Sequence, residues 1–363
     1  MKRILTVVGT RPNFIKVTRF REVASRYAGY ELHIVHTGQH YDDKMADVFF
    51  RQFNLVPDHF LNTPQGSPAS QIAFIITELE KLILKLKPDV MLVVGDVNST
   101  MAAAIAANKC GVKLGHVESG LRSFDRTMPE EYNRIVADEL SDLLFVTEQS
   151  GLDNLNAERK PKEAIHFVGN TMIDTMVAFA PQIESSDILE QLNAPSKNYV
   201  LMTMHRPATV DDEAGLKKLL ELIKDVCAHY LLIFPVHPRT VATLKKFGLH
   251  DEFTAISNLT FVEPLDYFAF QKLVKHAKFI LTDSGGIQEE STFLGVPCLT
   301  LRPNTERPST VTIGSNELLP FDLQMIRARI ADIVAGTYKK GGIPPLWDGK
   351  ATERIFDVLS KTI

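Results

Sequence analysis

The stretch that decides the fold reads Phe279-Ile280-Leu281-Thr282-Asp283-Ser284-Gly285-Gly286-Ile287-Gln288-Glu289-Glu290. Its first three residues are apolar and predict a strand, and residues 287–294 predict a helix. We expect Ser284 to cap that helix. Gly285 and Gly286 place no side chain between the free N–H groups of the helix and a ligand. A strand that passes through such a turn into a helix is the repeating unit of a parallel α/β sheet.

The same stretch predicts a kind of ligand. The start of the helix offers several amide donors and the positive end of the helix dipole to an anion, typically a phosphate. Glu290 lies four residues beyond Gly286, one turn further along the same face. Its carboxylate can accept hydrogen bonds from sugar hydroxyls further along the ligand. The stretch therefore predicts a nucleoside diphosphate with its ribose.

Apolar runs of strand length alternate with helical patterns through most of the chain, which is typical of parallel βαβ units. We predict strands at residues 4–8, 32–36, 90–94, 113–117, 143–146, 199–204, 230–236, 259–262, 279–281 and 298–301. Two sets of five strands indicate two doubly wound domains, residues 1–169 and 170–350, with a junction near residues 168–171. Residues 351–363 have a helical pattern, and we expect them to pack back onto the first domain.

The composition excludes several classes of protein. A chain of 363 residues suits two domains of roughly 150–180 residues each. The net charge of −4 provides no general attraction to nucleic acid or to acidic membranes, so a phosphate ligand needs a local cluster of cations. The three cysteines lack the spacing of a metal site and indicate free thiols in a reducing cytosol. No H-E-x-x-H pattern and no long apolar span occurs, so we expect neither a metal nor a membrane partner.

The polar residues that stand out follow the carboxyl ends of predicted strands. They are Gly9-Thr10-Arg11, Thr37-Gly38-Gln39-His40, Gly95-Asp96, His116-Val117-Glu118-Ser119-Gly120, His205-Arg206, His237-Pro238-Arg239, Asp283-Ser284-Gly285-Gly286 and Arg302. Open α/β sheets bind their ligands at this edge. Two such edges that face each other would form a cleft between the domains.

Several residues at or just after these strand ends are open to two interpretations. Arg11 and Lys16 would place two cations beside an anionic ligand, but Lys16 could also be a solvated helix lysine. Asp96 could be a functional carboxylate or only the N-cap of the next helix. Asn98 and Ser99 are available as caps instead, which favours a functional Asp96.

Two acidic groups differ in how strongly they indicate function. By the period of two in a strand, His116 and Glu118 lie on one side of the strand end. Because a glutamate packs poorly at the end of a buried strand, we assign Glu118 to acid–base chemistry or substrate hydrogen bonding. Glu130 and Arg134 are spaced as an ordinary stabilising pair at the start of a helix.

His205 and His237 occupy equivalent places in successive βα units of the second domain. Each histidine could be a structural residue with its hydrogen bonds satisfied. Each is also followed closely by an arginine, and two histidine–arginine groups at one edge favour contact with phosphate.

Together and in this order, these segments resemble the non-hydrolysing UDP-N-acetylglucosamine 2-epimerases over essentially the entire chain. The matching segments are residues 9–16, 95–96, 116–122, 129–134, 283–290 and 305–308. The resemblance implies a glycosyltransferase-B-like architecture of two Rossmann-like domains, with the active site in the cleft between them. It also implies a homodimer that needs no metal or nicotinamide cofactor.

The resemblance further implies roles for individual residues. Those matched to the catalytic positions are Asp96, Glu118 and Glu130, with Lys16 and Arg134 nearby in the site. The contacts to the diphosphate would come from Ser284, Gly285, Gly286, Arg11, Arg307 and His205, and we include His205 among the catalytic candidates. Glu290 would bind the ribose, and His237 is a further candidate for substrate binding.

The implied reaction interconverts UDP-GlcNAc and UDP-ManNAc for surface polysaccharide precursors. The proton on C2 of the sugar is not acidic, so inversion would go through elimination of UDP to 2-acetamidoglucal and addition from the other face. The nearest alternative is the same chemistry on UDP-2,3-diacetamido-2,3-dideoxyglucuronic acid. A glycosyltransferase, a hydrolysing epimerase and a non-catalytic nucleotide-sugar sensor are the remaining alternatives, and the three carboxylates favour catalysis.

Two departures from the family pattern affect regulation and substrate. Relatives with a regulatory UDP-GlcNAc site tend to have a shorter Gln-His-x-x-Met segment, an Arg-Gln pair and His-Arg-Arg-Glu. Here the corresponding residues are Gln39-His40-Tyr41-Asp42-Asp43-Lys44-Met45, Pro64-Gln65-Gly66 and His205-Arg206-Pro207-Ala208. We therefore expect no activation by UDP-GlcNAc. The segments at residues 40–42 and 124–129 look like those of relatives that act on the diacetamido-uronic acid.

Overall fold

The computed structural model describes residues 1–39 and 50–363. The chain forms two compact units, Met1–Ala178 with Pro345–Ile363, and Phe179–Pro344. Each unit contains one sheet whose strands all pair in parallel, with helices between successive strands. The expected α/β class with two doubly wound sheets is confirmed.

The first unit contains a seven-stranded sheet in the order β3-β2-β1-β4-β5-β6-β7. Its strands are β1 Lys2–Val8, β2 Tyr30–His36, β3 His59–Phe60, β4 Val90–Val94, β5 Lys113–Ser119, β6 Leu143–Val146 and β7 Ile165–Phe167. The chain winds outward from β1 in one direction through β2 and then in the other through β4. The reversal between β1 and β4 is the point at which such sheets bind ligands.

Helices cover the first sheet. Within the described residues they are α1 Arg11–Lys16, α2 Phe20–Ala24, α3 Pro68–Leu86, α4 Asn98–Lys109, α5 Pro129–Leu140, α6 Gln149–Ala157, α7 Thr171–Ala178 and α18 Ala351–Thr362. Residues 50–53 are also helical, and a short 3-10 helix spans Lys162–Ala164. Every residue of β4 is buried, as expected for a parallel strand that is covered on both faces.

The second unit contains a six-stranded sheet in the order β10-β9-β8-β11-β12-β13. Its strands are β8 Tyr199–Thr203, β9 Leu231–Pro235, β10 Leu259–Val262, β11 Phe279–Thr282, β12 Cys298–Thr300 and β13 Asn316–Leu318. Its helices are α8 Ala180–Ser185, α9 Ile188–Gln191, α10 Pro207–Val210, α11 Glu213–Cys227, α12 Pro238–Lys246, α13 His250–Thr254, α14 Tyr267–His276, α15 Gly286–Phe293, α16 Pro308–Thr312 and α17 Leu323–Ala335. Here the winding reverses between β8 and β11.

The sequence predicted five strands for each sheet, and the structure has more. The additional strands are β3, β7 and β13, which contain two or three residues each. Each of them is the outermost or last strand on its side of the sheet. A strand this short is too brief to show a periodic pattern, so its pairing depends on the neighbouring strand.

The units divide later than the junction inferred from the sequence. Helix α7 remains with the first unit because Thr175 Oγ1 donates a hydrogen bond to the carbonyl of Ile15 at 2.6 Å. The buried carboxylate of Asp174, also on α7, accepts hydrogen bonds from the backbone of Ala351 and Thr352 at 3.0 and 2.6 Å. The division therefore follows Ala178 instead of residue 169.

The last segment of the chain returns to the first unit. Its helix α18 contacts α2 and the residues that follow α2. Phe356 packs edge-on against Phe20 with 5.8 Å between ring centroids, and Glu353 forms an ion pair with Arg26 at 2.8 Å. The return begins before residue 351, because the indole of Trp347 donates to the carbonyl of Thr147 at 2.9 Å.

Two remaining predictions concern residues 40–45 and association with a membrane. Residues 40–45, which supported the expected lack of activation and the likeness to uronic acid enzymes, lie outside the described residues. Across residues 1–39 and 50–363, no helix is long and apolar enough to cross a membrane.

Candidate active site

Glu118 stands at an irregular position in the first sheet. Val117 pairs with Phe145 and Ser119 pairs with Val146, so Glu118 is an extra residue in the ladder between β5 and β6. Its φ is +75° and its side chain is buried. A glutamate in this conformation is strained, and such strain is concentrated at functional sites.

The bulge at Glu118 interrupts the period of two on which the expected placement of His116 and Glu118 on one side was based. The ring of His116 instead faces two acceptors. Its Nδ1 lies 2.6 Å from Asp138 Oδ1, and its Nε2 lies 2.8 Å from the carbonyl oxygen of Gly95. His116 therefore supports the strand end from within the unit.

Lys16 is the last residue of α1, and its ammonium forms an ion pair with Glu118. The exposed fractions of the two side chains are only 6% and 4%. A Cβ atom placed on Gly95 would lie 3.5 Å from Lys16 Nζ. The burial excludes the interpretation of Lys16 as a solvated helix lysine. The buried ion pair of Lys16 and Glu118 therefore lies beside Gly95, which follows β4.

Asp96 directly follows Gly95 in the chain. Its carboxylate forms an ion pair with Arg134, whose second terminal nitrogen binds Glu131 at 2.5 Å. The expected pairing of Arg134 with Glu130 is therefore wrong, because Arg134 binds Glu131 three residues before it. Within the described part of the chain, the half-buried Glu130 forms no hydrogen bond or ion pair.

None of the residues proposed as caps of α4 performs that role with its side chain. The helix begins at Asn98 with Val97 as its N-cap. The side chain of Gln39 takes this place instead, since its Oε1 accepts from the backbone N–H and the hydroxyl of Ser99 at 2.9 and 2.7 Å. Asp96 is thus left to Arg134, and the sequence did not identify Gln39 in this role.

A buried network lies behind the carboxylates of the first unit. Asp138 accepts from His116, from the backbone of Gly120 at 3.0 Å and from Arg122 at 2.7 Å. Burial alone would raise the pKa of Asp138, but the charges and hydrogen bonds of His116 and Arg122 outweigh it and hold the pKa below its ordinary value. The sequence offered one signal for this residue, an acid within the helical stretch that follows Arg134.

The second sheet presents its own group of polar residues at the reversal between β8 and β11. Asp283 follows β11 and is fully buried. It accepts hydrogen bonds from the backbone of His205 and Arg206 at 2.9 and 2.8 Å, and it lies 3.0 Å from His205 Nδ1. The carboxylate thereby fixes the imidazole of His205, which remains partly exposed.

The turn after β11 differs in one detail from the prediction. Helix α15 begins at Gly286 with Gly285 as its N-cap, and no side chain caps it. Ser284 is therefore not the cap that we expected. Its backbone N–H donates to Thr282 Oγ1 at 2.9 Å. The cap position at Gly285 carries no side chain, so the start of the helix keeps the form that suits an anion.

Arg307 lies against this turn. A Cβ atom on Gly285 would lie 3.2 Å from Arg307 Nη1. The guanidinium is held by two buried carboxylates, Glu289 at 2.8 Å and Glu306 at 3.3 Å. Glu290 is on the same helix as Glu289 and is also buried. The structure thus brings Arg307 to the turn and places Glu290 within the helix that starts there.

His237 is placed beside His205, with 5.7 Å between ring centroids. It is the N-cap of α12, where its Nδ1 accepts from the backbone of Arg239 at 3.1 Å. Burial, together with the charges of His205 and Arg239, lowers its pKa. His237 therefore has a structural role as a cap in addition to its place beside His205. The side chain of Arg239 is taken up by Asp211.

Arg11 is the first residue of α1, immediately beyond the carboxyl end of β1, and is half-buried. Of the side chains that the structure describes, no group of three or more histidines, cysteines, aspartates and glutamates is arranged to hold a metal ion.

Comparison with known proteins gives a consistent result. The family model described as UDP-N-acetylglucosamine 2-epimerase matches residues 22–360. A UDP-N-acetylglucosamine 2-epimerase of Methanococcus maripaludis is 41% identical over 333 residues, which cover 90% of each chain. A UDP-2,3-diacetamido-2,3-dideoxy-D-glucuronate 2-epimerase of Pseudomonas aeruginosa is 36% identical over 363 residues, which cover 99% of each chain.

A solved structure extends the likeness to the fold. The crystal structure of Methanocaldococcus jannaschii UDP-GlcNAc 2-epimerase in complex with UDP-GlcNAc and UDP superposes with a TM-score of 0.89 at 38% identity. The match covers 99% of this chain and 100% of that one. By sequence and by fold, this chain belongs to the UDP-N-acetylglucosamine 2-epimerase family.

Proposed function

We propose that this chain is a non-hydrolysing epimerase that interconverts UDP-GlcNAc and UDP-ManNAc. Membership of the family supports the class of reaction, and the complex of the Methanocaldococcus jannaschii relative with UDP-GlcNAc and UDP supports the substrate. We assign nucleotide binding to residues of the second unit and the chemistry on the sugar to residues of the first.

In the second unit, the diphosphate would bind at the start of α15. The N–H groups that follow Ser284, Gly285 and Gly286 and the helix dipole favour an anion there. Arg307 and His205 would add positive charge or hydrogen bonds, and Arg11 is a further candidate for contact with the diphosphate. These groups would stabilise UDP as negative charge develops on it during departure. Glu290 would accept hydrogen bonds from the ribose, and His237 would support His205.

The reaction at C2 requires an acid–base group, because the proton there has no adjacent carbonyl to make it acidic. A base removes the proton from C2 while the C1–O bond breaks, and UDP departs with the bonding electrons. The product is 2-acetamidoglucal, with a double bond between C1 and C2. Return of a proton to the opposite face and of UDP to C1 completes the inversion. Asp96, Glu118 and Glu130 would supply the acid–base groups.

The observation that carries this proposal is the state of Glu118. It is a carboxylate held in a strained conformation, buried, and paired with the buried ammonium of Lys16. A sensor or a glycosyltransferase that only bound the nucleotide at α15 would need no such group in its other unit. Strain that the surrounding structure maintains is characteristic of residues that act on a substrate.

A second candidate substrate is UDP-2,3-diacetamido-2,3-dideoxyglucuronic acid. It is favoured by the Pseudomonas aeruginosa relative, which is similar over nearly the whole chain. A uronic acid also requires a cation for its carboxylate. Arg126 is exposed in the loop before α5, where its guanidinium lies 5.9 Å from the ring of Tyr132.

The decisive test is incubation of the protein with UDP-GlcNAc in D2O, followed by proton NMR. We expect deuterium at C2 together with signals of UDP-ManNAc. Absence of both would overturn the proposal, whereas turnover of the uronic acid sugar alone would establish the second candidate. Stoichiometric accumulation of UDP would identify a hydrolysing enzyme instead.

A substitution connects this test to the site. Glu118→Gln removes the acid–base group and keeps the size of the side chain, so we expect loss of deuterium exchange with UDP binding largely retained. Glu80→Gln, at an exposed position on α3, is the matched control and should exchange at the wild-type rate. Full exchange in Glu118→Gln would remove Glu118 from the chemistry.

The state of the protein in the cell is a further part of the proposal. We expect a cytosolic homodimer without activation by UDP-GlcNAc. Sedimentation of the purified protein tests the dimer, and a rate that follows simple saturation tests the regulation. A lag or a sigmoidal rate that added UDP-GlcNAc relieves would contradict the absence of activation.

A further inference from the structure

Two adjacent glutamates at the start of α5 are in different situations. Glu130 is half-buried and, among the described residues, forms no hydrogen bond or ion pair. Glu131 is 2% exposed. A buried carboxylate is costly unless it is paired and hydrogen-bonded. The role of Glu131 can therefore be inferred from the groups that bind its carboxylate.

Glu131 accepts on both of its oxygens. Its Oε2 receives the backbone N–H and the hydroxyl of Ser123 at 2.9 and 2.8 Å, and its Oε1 receives the backbone N–H of Phe124 at 2.9 Å. Arg134 Nη1 binds Oε2 at 2.5 Å. An ionised carboxylate has about four acceptor positions, so these contacts leave Glu131 little capacity to exchange a proton with a substrate.

The contacts of Glu131 lie on two sides. On one side is Arg134, whose other terminal nitrogen binds Asp96. On the other side is the turn at Ser123 and Phe124, where φ of Phe124 is +58° and its side chain is 78% exposed. A bulky residue with positive φ persists only where its surroundings impose that conformation. The two N–H groups bound by Glu131 impose it here.

We propose that Glu131 is a positioning residue that fixes the guanidinium of Arg134 against Asp96 and, with the same carboxylate, fixes the strained turn at Phe124. This inference rests on the proposed function, because it assigns Asp96 to the chemistry. It separates the two neighbours by role: Glu130 is left available for proton transfer, whereas Glu131 holds the geometry in which transfer takes place.

The test is Glu131→Gln in the full chain. The amide carries no charge to pair with Arg134, and its NH2 group cannot accept. With its oxygen at the Oε2 position it loses the contact with Phe124, and with its oxygen at the Oε1 position it loses those with Ser123 and Arg134. A small displacement of reacting groups can cost about 100-fold in rate. We therefore expect kcat for UDP-GlcNAc to fall about 100-fold while KM changes less than about threefold, as for an interaction that acts in the transition state.

The control is Glu139→Gln, on the same helix, where the exposed carboxylate binds only Lys160 among the contacts described. It should retain the wild-type kcat. A kcat of Glu131→Gln within about threefold of wild type, measured per folded molecule, would overturn the proposal. That result would assign Glu131 to stability alone.

A second measurement does not depend on turnover. Hydrogen exchange of the amides at residues 123–127 should be faster in Glu131→Gln than in the wild type, and unchanged exchange would also overturn the proposal. If Glu131→Gln does not fold, Ser123→Ala decides, since it removes only one of the contacts to Glu131. We expect a several-fold loss of kcat in Ser123→Ala, and wild-type kcat would be contrary to the proposal.

The outcomes also separate this inference from the proposed function. A wild-type protein that turns over neither UDP-sugar would refute the function, and exchange at residues 123–127 would still test the turn. An active wild type with wild-type behaviour in Glu131→Gln would refute only the role of Glu131.

Discussion

Replacing Asp138 by alanine should destabilise the first unit strongly. The carboxylate lies within hydrogen-bonding distance of His116, Gly120 and Arg122, and it is only 1% exposed. In Asp138→Ala, His116 Nδ1 and the N–H of Gly120 would lose this acceptor, whereas Arg122 would keep Glu158 and the carbonyl of Leu121. Removing one partner of a buried ion pair costs about 3–5 kcal/mol, and here the two further buried donors are also left without their acceptor.

That loss predicts a clear change in thermal unfolding. For a domain of 150–250 residues, each kcal/mol shifts the midpoint by about 2–4 °C. A loss of about 3–5 kcal/mol therefore lowers the midpoint of the first unit by about 6–20 °C. Exposed Asp153, which accepts only from Gln149 among the hydrogen bonds described, is the control. Asp153→Ala should change stability by no more than about 0.5 kcal/mol.

The effect should also depend on pH. The pKa of Asp138 in the folded protein lies below its ordinary value of 3.8, so the unfolded chain binds the proton more readily. The stabilisation is then fully present above the unfolded pKa and is lost as the pH falls through the lower folded pKa. The difference between wild type and Asp138→Ala should accordingly be constant near neutral pH and shrink under acid conditions.

The chain contains its own probe for this measurement. Trp347 is the single tryptophan, is 2% exposed and belongs to the first unit. Its fluorescence therefore reports unfolding of that unit, even where the two units unfold separately. A midpoint in Asp138→Ala within 2 °C of wild type (roughly 1 kcal/mol or less) would refute the reasoning about the buried network.

Two further predictions concern glycines. Gly169→Ala should destabilise the first unit by about 1–3 kcal/mol more than Gly111→Ala, because the new Cβ would lie 2.1 Å from the carbonyl oxygen of Leu346, whereas nothing lies within 4 Å at Gly111. Both residues have positive φ, so equal losses of stability in thermal unfolding would contradict the steric explanation. Gly285→Ala should leave stability within about 0.5 kcal/mol, since its φ of −72° is ordinary. Its Cβ would crowd Arg307, so calorimetry should show UDP binding about tenfold weaker, or about 1.4 kcal/mol, and unchanged affinity would count against an anion site at α15.

The parts of the fold that follow from local pattern could be predicted from the sequence. Strand β11, the glycine turn and the start of α15 were predicted because apolar runs, glycines and helix periodicity are all properties of neighbouring residues. The same holds for the polar residues at strand ends, since the edge to which they belong is set by the parallel arrangement.

The details that failed depend on residues far apart in the chain. The bulge at Glu118 is a mismatch between β5 and β6, and a single strand carries no sign of it. Arg134 departs from the local rule that pairs residues four apart, because Asp96, from a distant part of the chain, and Glu131, three residues earlier, bind its two terminal nitrogens. Likewise, the group that accepts at the start of α4 is the side chain of the distant Gln39, and not that of Asn98 or Ser99.

The discontinuous first unit has a consequence for the order of folding. The second unit is one continuous segment, whereas the first contains both Met1–Ala178 and Pro345–Ile363. During synthesis, the unit proposed to bind the nucleotide can complete its fold while the first unit still lacks its last helix. The buried Asp174 gains its hydrogen bonds from Ala351 and Thr352 only when the last segment has been synthesised. The unit proposed to act on the sugar would therefore complete its fold last.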